Sequence, residues 1–80
     1  MKVKVLYFAQ VSEKLGINSE EITFQKEHPT LWDLMDYLVK TYPVLDELSY
    51  KIAHNQVLTK ENAALSERDE IALLPPFAGG

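Results

Sequence analysis

The sequence predicts an α+β fold in which one long helix packs across a small mixed β-sheet. Residues 30–43 form a strongly amphipathic helical segment, and β-type alternation of apolar and polar residues occurs on both sides of it. No second long helical segment is present that could cover its apolar side, so a sheet must do so. Eighty residues suffice for one domain. We predict a single domain over residues 1–80, with residues 75–80 as a projecting tail.

The first elements are a strand, a short helix and a second strand. Residues 2–8 begin with alternating Lys and Val and end in a continuous apolar run, which predicts a strand with one solvated and one buried end. Residues 9–15 then predict a short helix that Gly16 ends. Residues 20–25 alternate again and predict a second strand with one side in water.

The segment TLWDLMDYLVKTYP most clearly predicts a helix. Thr30 occupies the N-cap position, and Asp33 follows at the position of a capping box, with Asp in place of the usual Glu. Pro43 ends the helix, because proline disfavours the helical conformation in the preceding residue and has no N–H. At about 100° per residue, the following apolar residues share an arc of roughly 140°: Leu31, Leu34, Met35, Leu38, Val39 and Tyr42.

The remaining sequence predicts a hairpin and a last strand. Asn55-Gln56 is an acceptable hairpin turn, although weaker than Asn-Gly. In order, the predicted elements are a loop or single helical turn (44–50), a strand pair or hairpin (51–58), a polar connection (59–64), a charged turn (65–70) and an apolar strand (71–74).

The composition excludes several classes of function. The net charge is −4, and the eight basic residues are scattered among twelve acidic ones. Because phosphate backbones require clustered Lys and Arg, we expect no binding to nucleic acid, and none to an anionic membrane surface. The sequence has no cysteine, which excludes disulfides and a thiolate nucleophile. Without a signal-peptide pattern or a long apolar run, a cytoplasmic location is expected.

Internal polar residues do not form a recognisable catalytic set. His28 and His54 have no second ligand at metal spacing, so we expect each to be solvated or locally hydrogen-bonded. Serines 12, 19, 49 and 66 lack the strand-turn-helix setting of a nucleophile. The carboxylates fall in turns or on the polar side of the helix, where we expect water to hydrate them. The sequence therefore predicts no metal site and no complete active site.

The segment that ends the sequence, PPFAGG, is the strongest functional candidate. Pro75 and Pro76 cannot donate to a sheet and favour an extended conformation, so they should stop the last strand and project residues 75–80 outward. Gly79 and Gly80 lack side chains, which suits a narrow channel. The carboxylate of Gly80 is ionised at neutral pH and is a poor electrophile, so its chemistry requires activation by another enzyme. These properties favour a carrier, the alternative being a frayed tail without a function.

The whole pattern resembles the small, sulfur-carrier subunits of molybdopterin synthase, which have a ubiquitin-like β-grasp fold. The resemblance extends over essentially the full length. It rests on VLYFAQVSEKLG, the helix TLWDLMDYLVKTYP, the turn at Asn55 and the ending DEIALLPPFAGG. A Gly-Gly ending alone is shared by all ubiquitin-like carriers, whereas Pro-Pro-x-x-Gly-Gly joined to this first strand is specific.

The resemblance implies that an ATP-dependent activating enzyme adenylates the Gly80 carboxylate and that sulfur transfer converts it to a thiocarboxylate. The tail (Pro75, Pro76, Phe77, Ala78, Gly79) would then enter a pocket of the large synthase subunit and deliver sulfur to cyclic pyranopterin monophosphate. The family assembly is a heterotetramer of two small and two large subunits. The chain would be the small subunit of a sulfurtransferase, and would bind no cofactor itself because the activating enzyme uses the ATP.

Two departures from the family pattern stand out. Arg68 occupies a position where the family often has Gly, so a positive φ there would be strained, the alternative being a turn of a different type. Phe77-Ala78 replaces a commoner Val-Ser or Val-Thr pair, and we assign Phe77 to the partner interface, the alternative being that it packs on its own sheet. Other functions compatible with the same ending are a thiamine-type sulfur carrier, a protein modifier that forms an isopeptide bond through Gly80, and an adaptor that only binds.

Overall fold

The computed structural model describes residues 1–77, which form five strands and two α-helices. The elements follow the predicted order, and the loop or helical turn expected before the hairpin is a short 3-10 turn. They are β1 (Lys2–Tyr7), α1 (Ala9–Leu15), β2 (Ser19–Thr23), α2 (Leu31–Thr41), the 3-10 turn (Pro43–Glu47), β3 (Lys51–His54), β4 (Val57–Thr59) and β5 (Glu70–Leu74).

The five strands form one mixed sheet in the order β2-β1-β5-β3-β4. At its centre β1 and β5 are parallel, with Val5 opposite Ile71. The flanking pairs, β1 with β2, β5 with β3, and β3 with β4, are antiparallel. The last strand in sequence is therefore the central strand of the sheet, bonded on both sides.

The core lies between α2 and one side of the sheet. Alternate residues of β1 point into it, because side chains of a strand alternate between the two sides. Residues of α2 spaced three and four apart fill the facing layer, as the predicted apolar arc requires. The buried cluster includes Val3, Val5 and Tyr7 of β1, Leu31, Leu34 and Leu38 of α2, and Ile71 and Leu73 of β5. The α+β arrangement predicted from the sequence is confirmed.

The start of α2 has the predicted capping box. The Asp33 N–H donates to Thr30 Oγ1 at 3.2 Å, and the Thr30 N–H donates to Asp33 Oδ2 at 2.9 Å. Lys26 Nζ lies 2.9 Å from the same carboxylate oxygen. The hydrogen bond from Lys26, followed by that from the Thr30 N–H, lowers the pKa of Asp33. The helix therefore begins where the sequence predicted, with its first orphan donors satisfied.

The second strand starts and ends earlier than predicted. We expected it over residues 20–25, whereas β2 is Ser19–Thr23. Its partner β1 begins at Lys2, which lies opposite Thr23. One further bond, from the Phe24 N–H to the Met1 carbonyl at 2.8 Å, continues the pairing. Because β1 itself begins at Lys2, the strand pairing ends at Thr23 and the alternating sequence continues without a strand.

A carboxylate that we expected to be hydrated instead joins the sheet to α2. Glu20 Oε2 accepts hydrogen bonds from the hydroxyls of Tyr7, at 2.5 Å, and Tyr42, at 2.8 Å. The two tyrosine rings meet edge to face, with centroids 6.3 Å apart. Burial, followed by the bond to Glu20, raises the pKa of Tyr42 to about 12 and raises that of Tyr7 as well. The prediction of a solvated carboxylate is wrong at Glu20, because the phenols of buried Tyr7 and half-buried Tyr42 converge on it.

Within residues 1–77, no helix is long and apolar enough to cross a bilayer.

Candidate functional site

The predicted tail begins where the central strand ends. β5 stops at Leu74, followed by Pro75 and Pro76, which confirms that the two prolines end the strand. Upstream, Ile71 and Leu73 are fully buried, so the base of the tail is firmly held. Phe77 is 86% exposed. It does not pack on its own sheet, so that alternative is wrong, while its assignment to a partner interface stays a prediction.

Three of the predicted site residues, Ala78, Gly79 and Gly80, lie outside the described residues. The reactive role of Gly80 and the contact roles of Ala78 and Gly79 therefore remain predictions from the sequence.

An apolar surface lies on the side of the sheet opposite α2. Strand pairing places Leu6 beside Ala72, Ala72 beside Ala53, and Ala53 beside Leu58. These side chains line a shallow groove with Gln56 and Glu70 at its margin. We call its six apolar members the outer apolar patch: Leu6, Phe8, Ala53, Leu58, Ala72 and Leu74. The patch includes Leu74, so it lies directly beside the start of the tail.

Sequence reasoning missed this patch. The run LYF after KVKV was interpreted as the buried end of the first strand, but Leu6 is half-buried and Phe8 is 43% exposed. The signal was nevertheless present. In β1, Lys2, Lys4 and Leu6 share the outward side, so the change from Lys to Leu at the third outward position marks where that side becomes apolar.

The hairpin that carries Leu58 is joined to the start of β5 by a buried carboxylate. Asp69 is only 8% exposed and accepts hydrogen bonds from Asn55 Nδ2 at 3.0 Å and from the Ser66 N–H at 2.8 Å. Its Oδ2 also lies 2.7 Å from His54 Nε2. Burial alone would raise the pKa of Asp69, but the bonds from Asn55, His54 and Ser66 outweigh it and lower that pKa.

This network decides two predictions from the sequence. His54 is locally bonded, as expected. Asp69 is not hydrated, which corrects the expectation that its carboxylate faces water; it is buried because a turn, a hairpin and a strand converge on it. Within residues 1–77, no group of three or more His, Cys, Asp or Glu side chains is placed to hold a metal ion.

Comparison with known proteins agrees with this geometry. A family model described as the ThiS family matches residues 5–80. The chain belongs to the ThiS family. The molybdopterin synthase sulfur carrier subunit of Chlamydomonas reinhardtii is 31% identical to it, with all of both chains covered. The subunit of the same name from Escherichia coli (strain K12) is 32% identical, covering 98% of this chain and 99% of the relative.

Solved structures place this ThiS-family chain among the ubiquitin-like β-grasp proteins. One neighbour is a chain from a complex of subunits 1 and 2 of molybdopterin-converting factor from Helicobacter pylori, with a TM-score of 0.73, 29% identity and complete coverage of both chains. SAMP1 from Haloferax volcanii has a TM-score of 0.80 at 24% identity, again with complete coverage, and supports the fold alone. The β-grasp fold implied by the sequence resemblance is confirmed.

Proposed function

We propose that this chain is the sulfur-carrier subunit of a molybdopterin synthase. The observation that carries the proposal is its similarity to sulfur carrier subunits of an alga and a bacterium along essentially its whole length. The outer apolar patch and the start of the tail lie side by side, which supports docking and presentation of one end of the molecule. The chain acts as one part of a sulfurtransferase whose pocket lies on its partner.

The reacting group in this proposal is the carboxylate of Gly80. The activating enzyme joins it to AMP from ATP with release of pyrophosphate, which makes its carbon electrophilic. Sulfide-level sulfur from a donor then attacks that carbon and AMP leaves, which gives a thiocarboxylate. Its sulfur is transferred to cyclic pyranopterin monophosphate in molybdenum cofactor synthesis, and water returns Gly80 to the carboxylate. The alternative nucleophile, a lysine amine, would turn the same activated end into a protein modifier.

Two partners follow from this chemistry, the ATP-dependent activating enzyme and the large subunit of the synthase. We propose that the large subunit covers the outer apolar patch while Pro75, Pro76, Phe77, Ala78 and Gly79 lead Gly80 into its pocket, in a heterotetramer of two small and two large subunits. An exposed aromatic such as Phe77 is a typical interface anchor. In this proposal the chain binds no cofactor, and it acts in the cytoplasm, which cell fractionation would test.

Removing Gly80 tests the proposal directly. The shortened protein should lose sulfur delivery in a reconstituted assay with the large subunit, activating enzyme, ATP, sulfur donor and precursor. Its thermal unfolding should not change, because a projecting end contributes little packing. Adding one alanine after Gly80 should be equally damaging. The matched control, one alanine before Met1, should leave both activity and unfolding as they were. An active protein lacking Gly80 would contradict the proposal.

Mass spectrometry separates the alternatives. Protein purified from its native host should include a form whose mass shows one oxygen replaced by sulfur, sensitive to alkylating reagents. Adducts in which the chain is linked to lysines of other proteins would instead identify a modifier. Loss of thiamine synthesis, with intact molybdenum cofactor synthesis, in a strain lacking the chain would identify a thiamine-type carrier.

A further inference from the structure

The position of Leu58 depends on a short edge strand. Leu58 lies in β4, which has three residues and, within residues 1–77, pairs with β3 alone. Leu58 is nevertheless 42% exposed and lines the outer groove. A three-residue edge strand has few bonds to hold it, so its turn must contribute to fixing where Leu58 lies.

That turn is bonded to the central strand through Asn55. Asn55 and Gln56 have φ values of 50° and 70°, the two positive values of a type I′ hairpin turn. The Asn55 side chain accepts from the Glu70 N–H at 2.8 Å and donates to Asp69 at 3.0 Å, while its N–H donates to the Glu70 carbonyl at 2.8 Å. One side chain thus joins the hairpin turn to the residues where β5 begins.

We propose that Asn55, held by buried Asp69, is a positioning residue that fixes Leu58 for docking of the large synthase subunit. The inference rests on the proposed function. In it, Asn55 and Asp69 influence docking through Leu58. Asn55 is exposed and lies just outside the outer groove, yet its amide is committed to two bonds inside the molecule. Because both ends of the Asn55 amide have hydrogen-bond partners, the network holds the turn and the start of β5 in one arrangement.

The alternative is that these bonds stabilise the fold as a whole. The two roles differ in one measurable respect. If the Asn55 bonds only stabilise the fold, losing them should weaken docking by the same factor whether or not a patch residue has been replaced. A positioning role predicts that the loss disappears once the Leu58 side chain has been removed, because residues that act through one another are not additive.

Asn55→Gly is the most direct variant. Glycine accepts the positive φ of this turn, so the hairpin keeps its type while the amide bridge is lost. Asn55→Asp is the second variant, for the case in which the glycine protein does not fold. It keeps the acceptor for the Glu70 N–H and tolerates a positive φ, but cannot donate to Asp69.

The experiment measures the Kd of the purified large subunit by titration calorimetry in three backgrounds: unmodified, Leu58→Ala and Phe8→Ala. Phe8 is the matched control. It belongs to the same patch, but it directly follows β1 and is not part of the β3–β4 hairpin. Asn55→Gly should raise the Kd on the order of three- to tenfold in the unmodified and Phe8→Ala backgrounds. In the Leu58→Ala background the change should fall to less than about twofold.

Equal changes in all three backgrounds, or no change in the unmodified one, would overturn the positioning role while leaving the sulfur-carrier proposal intact. If neither Leu58→Ala nor Phe8→Ala alters the Kd, the patch is not the docking surface, and the inference falls with it. Loss of activity on deleting Gly80 would still support sulfur transfer in that case. Unfolding curves of each variant ensure that only folded protein is compared.

Discussion

Single residues in this protein hold backbone conformations that their side chains do not favour. Arg68 has a φ of 67°, in the left-handed region that costs a non-glycine residue free energy. The conformation is fixed from both sides, because the Arg68 N–H donates to the Lys2 carbonyl at 2.7 Å and the Asp69 N–H donates to Ser66 at 3.1 Å. The departure noted in the sequence is thus a strained turn, as a positive φ there implied.

Arg68→Gly should therefore stabilise the protein. Relief of the left-handed strain outweighs the greater freedom of glycine in the unfolded chain, for a net gain of about 0.5–1 kcal/mol. Thermal or urea unfolding measures the change. Arg68→Ala is the control, because it removes the same exposed side chain but keeps the strain, and should leave the free energy of unfolding nearly unchanged. A gain of equal size in both variants would assign the effect to the side chain instead.

Other residue-level features could not be predicted from the sequence. Asp69 and Glu20 belong to segments whose local pattern indicates solvated carboxylates. Apart from the Ser66 N–H, which is three residues from Asp69, their partners come from elsewhere in the chain: Asn55 for Asp69, and Tyr42 for Glu20. Thr30 and Asp33, by contrast, bond to each other three residues apart, so the capping box could be predicted. Local pairs are encoded by spacing, and distant pairs only by the completed fold.

At the scale of elements, the tyrosine pair joins the end of α2 to the sheet. Tyr42 follows the last helical residue and Tyr7 ends β1, and both donate to Glu20 near the start of β2. Three elements therefore meet at one carboxylate. Because the folded state raises the pKa of both phenols, it holds their protons more tightly than the unfolded chain does, so stability must fall as they ionise.

The alkaline stability of the protein should show this linkage. The contribution is fully present below the unfolded tyrosine pKa of about 10. It is lost as the pH rises through the folded pKa of Tyr42, about 12. Tyr42→Phe should cost about 1 kcal/mol at neutral pH and flatten the loss above pH 10, as followed by urea unfolding across pH. Tyr37→Phe, an exposed tyrosine of the same helix, should change stability by less than about 0.5 kcal/mol.

The identity and order of the elements could be predicted almost completely, but their ends less well. α2 was predictable because its periodicity, cap and terminating proline agree. The end of β2 at Thr23 was not, because it depends on the neighbouring strand β1, which begins at Lys2 opposite Thr23. The position of the hairpin turn at Asn55 could be predicted, but its hydrogen bonds to the start of β5 could not.

For the whole molecule, the two sides of the sheet serve different purposes. One side is covered by α2 and forms the core. The other has charged residues, Lys2 and Lys4, at one end of β1 and the outer apolar patch at the end nearer the tail. The candidate tail could be predicted from PPFAGG alone, whereas the patch required the strand register, since its members come from four strands and a loop.

Phe8→Ser should therefore weaken binding of the large subunit about tenfold, as truncating an exposed aromatic anchor of an interface does. Trp32→Ser is the control: Trp32 is 57% exposed, but it lies on α2, across the sheet from the patch. It should leave the Kd within about twofold, and neither change should lower the melting temperature greatly. Binding that is lost with Trp32 and kept with Phe8 would place the interface on the helix side instead.

The central place of β5 also governs how the protein can fold. The strands on either side of it, β1 and β3, each have an antiparallel partner close in sequence, and within residues 1–77 the sheet joins them to each other through β5 alone. Without residues 70–74 between them, β1 and β3 have no strand pairing that joins them. Pairing β1 with β5 brings together residues more than sixty positions apart, which costs conformational entropy and makes the step slow. We therefore expect the folding transition state to contain β5 and changes there to slow refolding more than they speed unfolding.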